Sequence, residues 1–240
     1  MDSPRKALVL LSGGIDSTTC AVLACKEFGA KNVLALSLVY GQKHVKEIEA
    51  AKAVVQYLGI KDHMIQQLPD VFQGGGCTLV DQDQPNPETT YEELRASQGV
   101  SPTYVPFRNA NMLSVATSIS LVQGAEVIFY GANSEDGRNW AYPDCTPEFN
   151  GAMANAIFIG SYMKVRLLTP LQWQTKSEVV ALGHKISTPF ELTWSCYNGY
   201  DKACGVCPAC VGRIHAFEEN GLRDVIEYQA NQVNSANNSR

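Results

Sequence analysis

The sequence predicts an α/β protein on a parallel sheet, with a small metal-binding segment toward its C-terminal end. Three observations carry that expectation. Short apolar runs alternate with helix-spaced stretches along most of the chain. A glycine turn stands between the first apolar run and the first helical one, and four of the cysteines crowd into residues 196 to 210. With 240 residues, 45% hydrophobic and 18% charged, the composition is that of an ordinary globular protein. Such a length suits one large domain, or one domain with a small appendage, and needs no covalent staples. The net charge of −5, with Lys and Arg scattered singly, argues against a nucleic-acid surface. No apolar run approaches the ~20 residues of a membrane helix. The basic pair Arg5-Lys6 leads straight into the first strand rather than into a signal peptide, so a cytoplasmic location is expected.

Each element follows from its pattern. Residues 7 to 11 are apolar throughout and read as a buried strand; Asp16, Ser17 and Thr18 open a helix that runs to about residue 28. Residues 33 to 39 form a second strand. Residues 43 to 58 have helical spacing, with Val45, Ile48, Ala51, Val54, Val55 and Leu58 as the inner stripe. A third strand is expected at 63 to 68, a helix at 111 to 122 and a strand at 126 to 130. Helix 146 to 158, strand 164 to 168 and helix 176 to 185 complete the alternation. Right-handed crossovers put a ligand crevice beyond the carboxyl ends of the strands, at residues 12–16, 40–44, 131–136 and 169–176. Residues 70 to 104 break the rhythm. Their Gly74-Gly75-Gly76 run and the polar stretch around Pro85 and Pro87 should bury little surface, as a lid over the crevice or as a surface insertion. The Asn- and Ser-rich residues 229 to 240 are expected to be disordered.

The glycine turn is the first chemical signal. A strand, then Ser12, Gly13 and Gly14, then a helix N-terminus make an anion site, because the free amides of the first helical turn converge where the helix dipole is positive. Without a Cβ, Gly13 and Gly14 let a phosphate approach the main chain. Leu11 and Ile15 flank the turn, and Asp16 is a ready Mg²⁺ ligand. No lysine follows the glycines, so this is not the Walker loop.

The second signal is Cys196, Cys204, Cys207 and Cys210, a C-x7-C-x2-C-x2-C spacing. Four thiolates suit a tetrahedral structural zinc ion. They suit an iron–sulfur cluster equally well in ligand type, whereas disulfides do not fit a reducing compartment. Cys20 and Cys25 read as core residues, and Cys77 and Cys145 are scattered.

The Ser-Gly-Gly-x-Asp-Ser segment resembles the PP-loop of the ATP pyrophosphatases, which cleave ATP between its α- and β-phosphates. With it come Tyr40-Gly41-Gln42 and His44, Tyr104-Val105-Pro106-Phe107-Arg108-Asn109, Tyr142-Pro143-Asp144-Cys145, Pro170 with Thr175-Lys176, and the run from Thr193 to Cys210. Together, in order from about residue 6 to 228, they resemble the 7-cyano-7-deazaguanine synthase (QueC) family. The chain departs from the family's usual residues at Ile15, Phe107 and Thr146, and its lead into Tyr142 is slightly longer.

The resemblance implies a Rossmann-like PP-loop fold (adenine nucleotide alpha hydrolase-like) over residues 1–190, with a lid at 70–104 and a zinc-binding helical subdomain at 191–228. It also implies a reaction: 7-carboxy-7-deazaguanine, ammonia and two ATP give a nitrile, two AMP and two pyrophosphates. Ser12, Gly13, Gly14, Ser17 and Thr18, with Leu11 and Ile15, would hold the phosphates, and Asp16 would hold Mg²⁺. Lys176 would neutralise charge at the α-phosphate, unless it is a solvated lysine. Arg108 and Asn109, just before a helix, would meet phosphate or the substrate carboxylate; a helix cap with an Arg ion pair is the other reading. Asp144, with Tyr142 beside it, would accept the N1–H and 2-amino edge of the base, or else cap a turn. His44 and Cys145 are candidates only. The partners implied are small molecules, and a homodimer is suggested. A ligase that stops at the amide or joins the acid to another amine keeps the same loop and cysteines; a PP-loop tRNA thiolase also shares the loop but should be basic.

Overall fold

The computed structural model describes residues 5–43, 46–73, 75–81 and 83–229. Five strands form one parallel sheet in the order β3-β2-β1-β4-β5. They are β1 Ala7–Leu10, β2 Val33–Val39, β3 Asp62–Gln67, β4 Val127–Phe129 and β5 Arg166–Leu168. Seven α-helices accompany them among the described residues: α1 Ile15–Phe28, α2 Lys46–Leu58, α3 Tyr91–Ala96, α4 Arg108–Gln123, α5 Pro147–Gly160, α6 Lys176–Ile186 and α7 Pro208–Glu219.

β1 is buried on both faces, which is why it reads as an unbroken apolar run. Ala7 and Val9 turn to a core shared with α1, α2, α6 and α7, while Leu8 and Leu10 turn to a second core with α4 and part of α5. The strand order reverses direction between β1 and β4. Such a switch point opens a crevice beyond the strand ends, between the loops that follow the two strands.

Two expectations need correction. α4 begins at Arg108, not 111, so Arg108 and Asn109 stand in its first turn. Sequence spacing missed this because Phe107, a left-handed residue at φ 54°, offers no side-chain cap. The cap comes instead from Asp144, whose Oδ2 accepts the Asn109 amide at 2.9 Å. Residues 70 to 104 bury more than their composition suggests: Phe72, Cys77, Thr78, Val80 and Thr103 are all buried, and α3 lies within the stretch. Of the α2 stripe, Ile48, Ala51, Val54 and Val55 are buried and Leu58 is partly so. Val45 and His44 lie outside the described residues, as do 230–240 of the tail.

Candidate active site

The phosphate loop is built by close approach. Gly13 holds φ +84°, and a Cβ there would meet the Glu47 carbonyl at 2.5 Å and the Ala51 nitrogen at 2.7 Å. Its carbonyl accepts the Trp194 amide at 2.8 Å. No side chain caps α1, whose N-cap is Gly14, so the amides of its first turn remain open toward the crevice. The Ser12 and Ser17 hydroxyls lie 3.0 Å apart beside them. Gly131, after β4, packs on the same turn; a Cβ there would lie 3.1 Å from the Ser17 nitrogen.

Two cations face this loop. Lys176, first residue of α6, donates to Asp16 Oδ2. Burial opposes its charge, but Asp16 and Asp136 hold its pKa above lysine's ordinary range. The other Asp16 oxygen, Oδ1, is buried without a hydrogen-bond partner among the described residues, an opening that suits a cation such as Mg²⁺. Arg108 donates from Nη1 to the Tyr40 hydroxyl at 3.0 Å and from Nε and Nη2 to Asn109 Oδ1 at 3.3 and 3.2 Å. Between them, burial pushes Asp136 up to about 6, against the pull of Lys176. Cys145 accepts from Asn109 Nδ2 at 3.2 Å, and burial raises its thiol well above the ordinary range, which fits packing rather than a thiolate.

Across the crevice, Cys196, Cys204, Cys207 and Cys210 are buried, with their sulfurs within 4.8 Å of one another. The amides of Asn198 and Cys204 donate to Cys196 Sγ, and that of Cys207 to Cys204 Sγ, each at 3.3 Å. Amides aimed at sulfur favour thiolates, so this donor set fits a metal centre. The Trp194 indole donates to the Cys196 carbonyl at 2.9 Å, and Lys46 stacks on its ring at 4.8 Å. The insertion is tied to the knuckle as well. Asn86 Nδ2 donates to the Tyr197 carbonyl at 2.9 Å, Thr89 to the Val206 carbonyl at 3.0 Å, and Tyr91 stacks on His215 with ring centroids 3.3 Å apart.

A family profile described as "Queuosine biosynthesis protein QueC" matches residues 6–221. This chain belongs to the QueC family. It is 43% identical over 225 residues to a 7-cyano-7-deazaguanine synthase of Koribacter versatilis, with 93% of each chain covered. It is also 43% identical over 228 residues to one of Methanoculleus marisnigri, covering 94% of this chain and 99% of the relative. Among solved structures, the U34-tRNA thiolase NcsA of Methanococcus maripaludis, with its [4Fe-4S] cluster, superposes with a TM-score of 0.50 at 16% identity. That match covers 91% of this chain and 68% of the thiolase, and it shows the shared fold alone.

Within this QueC-family chain, Leu11, Ser12, Gly14, Ile15, Asp16, Ser17, Arg108, Asn109, Tyr142 and Lys176 line one cleft of about 380 Å³, in the usual range for small-molecule sites. Gly13, Thr18 and Asp144 stand behind its wall. Thr18 is fully buried, and Asp144 is spent on α4. The cleft also holds Glu135, from the expected crevice residues 131–136, Trp194, from the run that starts at Thr193, and Glu47, which sequence reasoning did not single out. Glu47 looked like the solvated side of an amphipathic helix. A carboxylate that close to the expected loop was the available signal.

Proposed function

We propose that this chain makes 7-cyano-7-deazaguanine from 7-carboxy-7-deazaguanine and ammonia, with two ATP going to AMP and pyrophosphate. The observation that carries this is one cleft that joins an open phosphate loop to Arg108 and Lys176, in a chain similar end to end to synthases of that name. In the first half, the substrate carboxylate oxygen attacks the α-phosphorus of ATP and pyrophosphate leaves. Ammonia adds to the acyl carbon, AMP departs, and a proton is released with the amide. In the second half, the amide oxygen attacks the α-phosphorus of a second ATP, pyrophosphate leaves and the nitrogen gives up one proton; it loses its second proton as AMP departs, and the C≡N bond forms.

In this reading the first-turn amides of α1, with Ser12, Ser17 and Gly14, bind the departing pyrophosphate. Lys176 offsets charge that grows on the α-phosphate, an effect of this kind being worth about 10² to 10³ in rate. Arg108 orients the substrate acid, with Asn109 fixing its guanidinium. Tyr142 closes the cleft, and Asp144 acts from behind by holding the first turn of α4. Mg²⁺ at Asp16 would supply charge neutralisation for the phosphates. Zn²⁺ on the four cysteines would supply cross-linking of residues 191–228, a metal-binding subdomain set against a PP-loop domain at 1–190 with 70–104 as its lid. A cytoplasmic homodimer goes with the family resemblance, and light scattering checks the dimer.

The test is purified protein with Mg²⁺, ATP, ammonium and the deazaguanine acid, following product mass and AMP together. Two AMP per nitrile is the expected outcome. An amide end product, or no AMP at all, overturns the proposal.

A further inference from the structure

The cleft contains a carboxylate that neither the phosphate loop nor the Lys176 pair uses. Glu47, in the first turn of α2, lines it beside Leu36, Leu38 and Tyr40. Its side chain makes no hydrogen bond or ion pair among the described residues, and burial with Arg108 nearby accounts for its electrostatics. Glu47 is half-buried, and a carboxylate that faces a cleft with no protein donor is free to take its donors from a ligand. Arg108 is its complement: it is held by Tyr40 and Asn109 and pairs with no carboxylate among the described residues. Glu47 and Arg108 therefore line the same cleft, near enough to influence each other yet unpaired, alongside the Lys176 group.

A ligand that satisfies both must present an acid at one end and adjacent N–H donors at the other. The deazaguanine acid does, with its carboxylate on the five-membered ring and the N1–H and 2-amino donors on the six-membered ring. Resting on the function proposed above, we propose that Glu47 is the specificity-determining residue that reads this two-donor edge as an ionised carboxylate. Of the other carboxylates in the neighbourhood, Asp16, Asp136 and Glu135 act on Lys176, and Asp144 accepts the Asn109 amide. The chemistry also separates the base from adenine, the other flat ring in the reaction. Adenine offers a donor beside an acceptor, which an amide matches and a carboxylate does not; two donors side by side need the carboxylate.

Glu47→Gln is therefore the discriminating variant, with Glu47→Asp as the charge-keeping control. Calorimetry would measure binding of the deazaguanine acid, its analogue lacking the 2-amino group, and ATP; turnover would be followed in parallel. Wild type should prefer the 2-amino ligand by about 10²-fold or more, since a buried partner left unpaired rejects the analogue. In Glu47→Gln that preference should shrink to within a few-fold and KM should rise, with ATP affinity unchanged and the thermal transition no lower. Glu47→Asp should keep part of the preference. Full discrimination in Glu47→Gln, or a loss of ATP affinity there, overturns the assignment while leaving the proposed reaction standing. A wild type that neither binds nor turns over the deazaguanine acid overturns the reaction itself.

Discussion

At Gly13 the phosphate loop has no room for a side chain, and the limit is main chain rather than a movable neighbour. Gly13→Ala should therefore lower stability by about 2 kcal/mol or more, from the left-handed backbone and the clash together. ATP binding should fall with it, as differential scanning calorimetry and an ATP titration would show. Glu47 makes a second prediction at this scale. Burial lifts it from 4.5 to about 7, so between those values the folded chain holds a proton the unfolded chain has lost. Its contribution to stability accordingly falls as pH rises through that window. Binding of the two-donor edge needs the ionised form and runs the other way. Affinity for the deazaguanine acid should rise with pH up to about 7 and then level, and a Glu47→Gln titration should lose that rise. Asp136, the other raised carboxyl in the cleft, is untouched by the substitution and so cancels in the comparison.

Among the elements, the knuckle does more than close on itself. It anchors Trp194, which holds the Gly13 carbonyl, and it receives Asn86, Thr89 and Tyr91 from the insertion. Stripping the metal proposed for the four cysteines with a chelator, Mg²⁺ being restored before the ATP titration, should lower the melting temperature and weaken ATP binding by at least about tenfold, because metal binding and folding of such a segment are one equilibrium. An ATP affinity indifferent to the chelator would separate the knuckle from the loop. These two features were also the most legible in the sequence, because each is local: one glycine turn, one cysteine spacing. What the sequence hid was made by distant partners. The cap of α4 comes from Asp144, and its first turn was missed for that reason. The insertion's docking was hidden in a polar composition whose few apolar residues, Phe72, Cys77 and Val80, are the ones that bury.

For the molecule as a whole, a buried ion pair ties α7 to the chain segments before and after it. Arg213 donates to Asp224 from Nε at 2.7 Å and from Nη2 at 2.9 Å, and to Thr193 Oγ1 at 2.7 Å, while the Tyr228 hydroxyl donates to Asp224 at 2.6 Å. Asp224→Ala leaves that guanidinium buried without a counter-charge, so it should cost about 3 to 5 kcal/mol in chemical denaturation. The strand alternation that predicted the parallel sheet holds in all five strands, since both faces of its centre are apolar.

The bond from Trp194 to Gly13 also orders events in time. On the ribosome the glycine turn emerges long before Trp194, so its carbonyl finds its partner only once that later segment has been made. A nascent chain thus carries the residues of a nucleotide grip long before it has the grip.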